Sequence, residues 1–114
     1  MKVLICGSRS ITSRMVVAEA MQESGFDFTE IIHGGARGVD QIAGLIGKES
    51  GLPVHVFPAN WDEYPKSAGF LRNMEMVAEA DAVVAVWDGK SRGTKHTINH
   101  AKKVGVPVYV YQSR

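Results

Sequence analysis

The chain has 114 residues, 45% apolar and 22% charged, with a formal charge of only +1. That composition suits one globular domain over residues 1–114 and excludes disorder, and the scatter of Lys and Arg among Asp and Glu excludes the long electropositive stripe that tracks a nucleic-acid backbone. A single cysteine, Cys6, cannot close an internal disulfide, and no apolar run reaches membrane length, so the expectation is a soluble cytoplasmic protein with no membrane partner.

Short, β-branched-rich apolar segments predict strands at Val3–Cys6, Glu30–His33, Val54–Phe57, Ala82–Trp87 and Val108–Tyr111, each nearly continuous in apolar character as buried parallel strands are. Helical spacing predicts helices at about Thr12–Glu23, Val39–Ser50, Ala68–Glu79 and Thr94–Val104, with Gly25, Gly51 and Gly105 at three of their ends. The third should turn Phe70, Leu71, Met74, Val77 and Ala78 to one face, leaving Arg72 and Asn73 pointing away from the core. Such alternation gives a Rossmann-like, three-layer α/β fold: a five-stranded parallel sheet with helices on both faces. Ligands of such sheets bind beyond the carboxyl ends of the strands, which directs attention to the loops after each strand.

The first of these loops reads CGSRSI. Gly7 allows a sharp turn, Ser8 offers a hydroxyl, and Arg9 brings a cation to a helix start suited to anions; alternatively, Ser8 or Ser10 merely caps the helix. The second, HGGARGVD, combines Gly34, Gly35 and Gly38, whose amides no side chain shields, with the bidentate donor Arg37. It matches neither a P-loop nor a GxGxxG fingerprint. Asp40 either bonds ribose hydroxyls or serves its own helix. The third, PANWDEYPKSAGFLRN, is long for such a connection and carries Trp61 and Tyr64, on which a base can stack, before Arg72 and Asn73. The fourth, WDGKSRGTKHTI, places Asp88, Gly89, Arg92 and Gly93 ahead of Thr94, whose N–H and hydroxyl suit a phosphate at a helix start. Four arginines at strand ends or helix starts point to an anionic ligand. His96 and His100 lack a third metal ligand and are expected to face solvent, so no metal and no cofactor is expected, while Cys6 is read as a packing residue.

Taken together and in this order, CGSRSI, HGGARGVD, FPANWDEYPKSAGFLRNMEMV and ADAVVAVWDGKSRGT resemble the YspA/YpsA-related branch of the SLOG superfamily, which also contains the LOG phosphoribohydrolases and the Rossmann-like domain of the DNA-processing protein DprA. The resemblance covers nearly the whole chain. It implies a site for nucleotides or nucleotide-derived molecules, used in signalling or sensing, at Gly7, Ser8, Arg9, Gly34, Gly35, Gly38, Asp40, Arg72, Asn73, Gly93 and Thr94. LOG enzymes carry PGGxGTxxE with a catalytic glutamate, and Thr97 stands at the matching position here, so a binding module rather than a LOG-type enzyme is expected. An N-glycosidic hydrolase would need another group, with Asp40 and Arg72 as candidates and Asp62 or Asp88 as further carboxylates. A DprA-like DNA-handling domain fits the near-neutral charge poorly. Related SLOG proteins often dimerise, and a homodimer is expected.

Overall fold

A computed structural model describes residues 1–113. The elements alternate as β1 (Lys2–Gly7), α1 (Arg14–Glu23), β2 (Glu30–His33), α2 (Val39–Glu49), β3 (Val54–Val56), α3 (Ala68–Glu79), β4 (Ala82–Trp87), α4 (Arg92–Val104) and β5 (Val108–Gln112). All five strands are parallel and form one sheet in the order β3-β2-β1-β4-β5. The chain winds outward from β1 to β3 and then returns to set β4 on the other side of β1. The topological switch point therefore falls between β1 and β4, paired from Val3 opposite Ala82 to Gly7 opposite Val86.

Strand periodicity assigns the core. In β1, Val3 and Ile5 pack with Val17 and Ala20 of α1 and Val39 and Ala43 of α2, whereas Leu4 and Cys6 pack with Met76 and Val77 of α3 and Ile98 and Ala101 of α4. The expected three layers follow. Continuous burial holds for β1 and β4 but not for β3 and β5, because these are the sheet edges; Val56 is 52% exposed. On the β5 edge, the hydroxyls of Tyr109 and Tyr111 donate to Glu23 and Glu19 of α1.

Three local expectations are corrected. Helix α3 buries Ala68, Asn73, Met76 and Val77 and leaves Phe70, Leu71, Met74 and Ala78 exposed. Its inward stripe contains a polar residue, and that residue is satisfied: the Asn73 amide nitrogen donates to the Gly93 carbonyl, and its oxygen accepts from Arg72 Nε. Helix α1 is capped by neither Ser8 nor Ser10 but by Ser13, whose hydroxyl accepts from the Val16 amide. Helix α4 starts at Arg92, not at Thr94, because Ser91 caps it by accepting the Thr94 N–H.

Gly7 closes the core where β1 reaches the switch point. An added Cβ would collide with the Val86 carbonyl oxygen and lie 2.5 Å from Val39 Cγ2. The first cannot retreat without breaking the β1–β4 ladder, so Gly7→Ala is expected to lower stability in urea denaturation by about 2–3 kcal/mol. Gly93→Ala, where a Cβ meets nothing within 4 Å, should instead leave stability unchanged or raise it by roughly 0.5–1 kcal/mol through helix propensity. Equal losses at the two positions would contradict this packing.

Candidate functional site

Parallel strands deliver the loops after β1, β2, β3 and β4 to one edge of the sheet, and two neighbouring hollows open there. The inner one, about 470 Å³, lies at the switch point. Gly7, Ser8 and Arg9 border it from the first loop, Asp40 from α2, and Arg72 and Asn73 from α3. Asp88, Gly93 and Thr94 close its far side. The outer hollow, about 540 Å³, is bordered by Gly34, Gly35, Arg37 and Trp61 and again by Arg9 and Arg72. Both lie within the roughly 300–1,000 Å³ of small-molecule sites. Gly38 borders neither; it joins loops. With φ at 77°, its absent Cβ would stand 2.7–2.8 Å from the carbonyl oxygens of Ser8, Arg9 and Ile11, so only glycine lets the first loop lie against the second.

Asp40 organises the second loop. One carboxylate oxygen, Oδ2, accepts the N–H groups of Gly34 at 3.0 Å and Ala36 at 3.2 Å, while Gly35 N–H donates to His33 Nδ1 at 2.9 Å. Of the three glycine amides expected to be open to a phosphate, those of Gly34 and Gly35 are thus taken by internal acceptors. Asp40 is 6% exposed, and burial raises its pKa from 3.8 to about 6, against the opposing pull of those N–H groups and of Arg72 and Arg9.

Arg72 is the second organising group. Its Nη1 donates to the Gly34 carbonyl at 2.7 Å and to the Phe57 carbonyl at 3.4 Å, and Nε donates to Asn73. A Cβ on Gly34 would lie 2.5 Å from Nη1, so that glycine makes the approach possible. Burial lowers the guanidinium pKa; Asp40 acts in the opposite sense, and nearby Arg9 adds to the lowering. Among the described residues neither arginine forms a salt bridge. Two guanidinium groups near enough to repel each other, with no carboxylate bonded to either, favour an arriving anion.

The fourth loop is held by its aspartate. Asp88 Oδ1 accepts the N–H groups of Lys90 and Ser91, and the hydroxyl of Ser10 donates to Oδ2. The Lys90 and Ser91 amides are the main reason its pKa falls to about 2. The Asp88 N–H donates to the Ser8 hydroxyl, tying the first loop to the fourth. Thr94 is buried with its N–H spent on Ser91, and the buried Thr97 hydroxyl donates to the Gly93 carbonyl.

Several residues stand elsewhere than expected. Arg92 and Gly89 border neither hollow; Arg92 is exposed on the first turn of α4, and Gly89 packs beside Gln112. Tyr64 and Asp62 are exposed outside both hollows, whereas the Trp61 ring borders the outer one and lies over Gly69. His96 faces solvent only in part: it packs on Phe70 with ring centroids 4.4 Å apart, its Nδ1 is buried, and burial lowers its pKa. The buried Cys6 thiol has its pKa raised by burial. Lys90, Ser91 and Ala36 at the inner hollow were missed. Lys90 could have been found by weighing lysine beside the arginines of its loop.

A family model described as "YAcAr: YspA, cpYpsA-related SLOG family" matches residues 1–64. The "Gene 61 protein" of Mycobacterium phage D29 is 38% identical over 117 residues, covering 94% of this chain and 93% of that protein. No solved structure matches the chain at a significant level. Among the described residues, no helix is long and apolar enough to cross a membrane.

The Asp40 carboxyl makes stability depend on pH with a definite sign. A buried acid whose pKa rises from 3.8 to about 6 holds a proton in the folded state that the unfolded chain has already released. Its contribution is therefore greatest below pH 3.8 and is lost as pH rises through about 6, amounting to about 3 kcal/mol. Asp40→Asn keeps an oxygen acceptor for Gly34 and Ala36 and removes the titration. The stability of this variant relative to wild type should rise by ~2–3 kcal/mol between pH 4 and pH 7 and then level off. A flat difference curve from urea melts across that range would refute the assignment.

Proposed function

Because the chain belongs to the YspA, cpYpsA-related SLOG family, whose members point to nucleotide-related function, we propose that it binds a nucleotide or nucleotide-derived molecule at the carboxyl ends of β1, β2 and β4. The observation that carries this reading is the pair Arg9 and Arg72, shared by both hollows and without a salt bridge among the described residues. Their guanidinium groups take phosphate; Asp40 and Asn73 serve ribose hydroxyls; the Trp61 face takes a base. With the Gly34, Gly35 and Ala36 amides engaged, the affinity is carried by these side chains rather than by the backbone of that stretch.

Thermal unfolding with a panel of nucleoside mono-, di- and triphosphates, cyclic nucleotides, NAD and ADP-ribose tests the reading. A ligand at ~100 times its Kd adds about 2.7 kcal/mol to the folded state, a rise in Tm of several degrees. Arg72→Ala should abolish the ligand-induced rise, measured against its own unliganded Tm because the substitution also removes bonds to Gly34 and Phe57. Arg9→Ala gives the cleaner control: its side chain makes no hydrogen bond or salt bridge among the described residues, so a loss of shift at unchanged basal Tm isolates binding. No shift from any member of the panel with wild-type protein defeats the proposal.

A second reading is favoured by one observation. Asp40 and Asp88 border the same hollow with pKa values pushed apart, to about 6 and about 2. N-glycosidic hydrolysis would use such a pair as proton-donating acid and ionised partner. Chromatography of nucleotides incubated with the protein would show free base, and Asp40→Asn would reduce its release by 10²-fold or more; bound but intact nucleotide leaves simple binding as the function.

A further inference from the structure

Helices α3 and α4 pack side by side on one face of the sheet. Each leaves the carboxyl end of one parallel strand and returns to the start of the next, so the two run in the same direction. Residues four apart on a helix line up on one flank, and the pair presents four such rows to the outside. Phe70, Met74 and Ala78 form the row of α3 nearest α4, where Phe70 stacks on His96. His96, His100 and Val104 form the answering row of α4. The two rows make an apolar strip: Phe70 is 47%, Met74 41% and Val104 53% exposed, and the His96 and His100 rings stack on one another beside them. The His96 ring joins that strip as a neutral group, because protonating its buried, unpartnered Nδ1 would place a charge where nothing bonds it.

Charges flank the strip unequally. Beyond it on α3 runs the row of Leu71, Glu75 and Glu79; beyond it on α4 runs the row of Lys95, Asn99 and Lys103, all six exposed. Helix α4 carries four cations, Arg92, Lys95, Lys102 and Lys103, and no carboxylate, whereas the one cation of α3 is Arg72, which is turned to the sheet edge. Glu79 meets Lys2 at 3.8 Å, while Glu75, Lys95 and Lys103 form no salt bridge among the described residues. An apolar strip with an acidic margin on one side and a basic margin on the other is complementary to itself: a two-fold axis through its centre lays each acidic margin on the basic margin of a second copy.

We infer that this face of α3 and α4 is the interface of a symmetric homodimer. The rotation sets α3 of one copy against α4 of the other, running in opposite directions, so that Glu75 and Glu79 meet Arg92 and Lys95 of the partner subunit around a centre of Phe70, Met74 and the histidine rings. None of these residues borders either hollow, so the dimer forms whatever the hollows bind.

Sedimentation equilibrium at protein concentrations up to roughly 100 μM tests the interface. Wild type should sediment at twice the 12.4 kDa of the chain. Met74→Glu puts a carboxylate into the apolar strip at an exposed position and should give a monomer; circular dichroism verifies that it folds, and if it does not, the charge variants decide by themselves. Glu75→Lys and Lys95→Glu should each weaken self-association by at least about tenfold, because two-fold symmetry makes each substitution create two like-charged pairs. An equimolar mixture of these two variants should restore the dimer, since every pair across the mixed interface is again opposite in charge, and mixing cannot repair a folding defect. Wild type that stays monomeric overturns the interface, as does a dimer that folded Met74→Glu leaves intact. Charge variants that dimerise like wild type, or a mixture that stays monomeric, overturn the two-fold pairing.

Discussion

Arg72 begins on the first turns of α3 and ends on the carbonyl of Gly34, in the loop after β2. This contact links the layer formed by α3 and α4 to the loop that opens α2 on the other face of the sheet. It depends on three conditions that separate parts of the chain supply. Gly34 must lack a Cβ, Asp40 must hold the loop by its amides so that the carbonyl points at α3, and Asn73 must accept the guanidinium Nε from within the same helix. A half-buried guanidinium held by carbonyl and amide oxygens keeps its charge while losing its freedom. It is thereby preorganised for an anion, and little side-chain entropy remains to be lost on binding.

Asp40 connects stability to that preorganisation. Its buried carboxyl costs free energy when ionised, yet the ionised form is the better acceptor for Gly34 and Ala36 and the better counterion for Arg72 and Arg9. The strain of burying it is offset by the loop it orders. The first and fourth loops are tied in the same way, by Asp88 and the hydroxyls of Ser8 and Ser10. Buried or loop-bound aspartates therefore shape the rim, and the arginines are left facing the opening. The inner hollow thus brings the carboxyls of Asp40 and Asp88 and the cations of Arg9, Arg72 and Lys90 to one lining.

The fold was legible because its signals are local. β-branched runs such as Ala82–Trp87 and helical stripes such as Val39, Ala43 and Ile46 need no knowledge of distant contacts, and element type and order emerged from them with shifts of a residue or two at the ends. The errors fell where polar residues were bonded across the chain. The apolar stripe of α3 looked like Phe70, Leu71, Met74, Val77 and Ala78 because side-chain polarity alone placed Asn73 outside; Gly93 and Arg72 satisfy that amide, and the helix turns accordingly. His96 was assigned to solvent for the same reason, although the partner it stacks on, Phe70, belongs to another helix. The cap of α1, for which Ser8 or Ser10 was the alternative reading, belongs to Ser13, while Ser8 and Ser10 are engaged by Asp88; α4, expected to start at Thr94, starts at Arg92 behind its cap Ser91.

By itself, the sequence determined the alternation of strands and helices, the parallel sheet it requires, and the clustering of glycines and arginines in loops that such a sheet delivers to one edge. Those properties follow from periodicity and from backbone freedom, which act over a few residues. Tertiary structure alone decided which of those loop groups remain open to a ligand. Amides of Gly34, Ala36, Lys90, Ser91 and Thr94 are consumed by Asp40, Asp88 and Ser91, Arg92 turns outward, and Arg9 and Arg72 border both hollows. The physical reason is that a hydrogen-bonding group has limited capacity. Whether it is spent inside the protein depends on which acceptor or donor the fold brings within about 3 Å, and a partner 38 residues away, as Gly34 is from Arg72, leaves no mark on the local sequence.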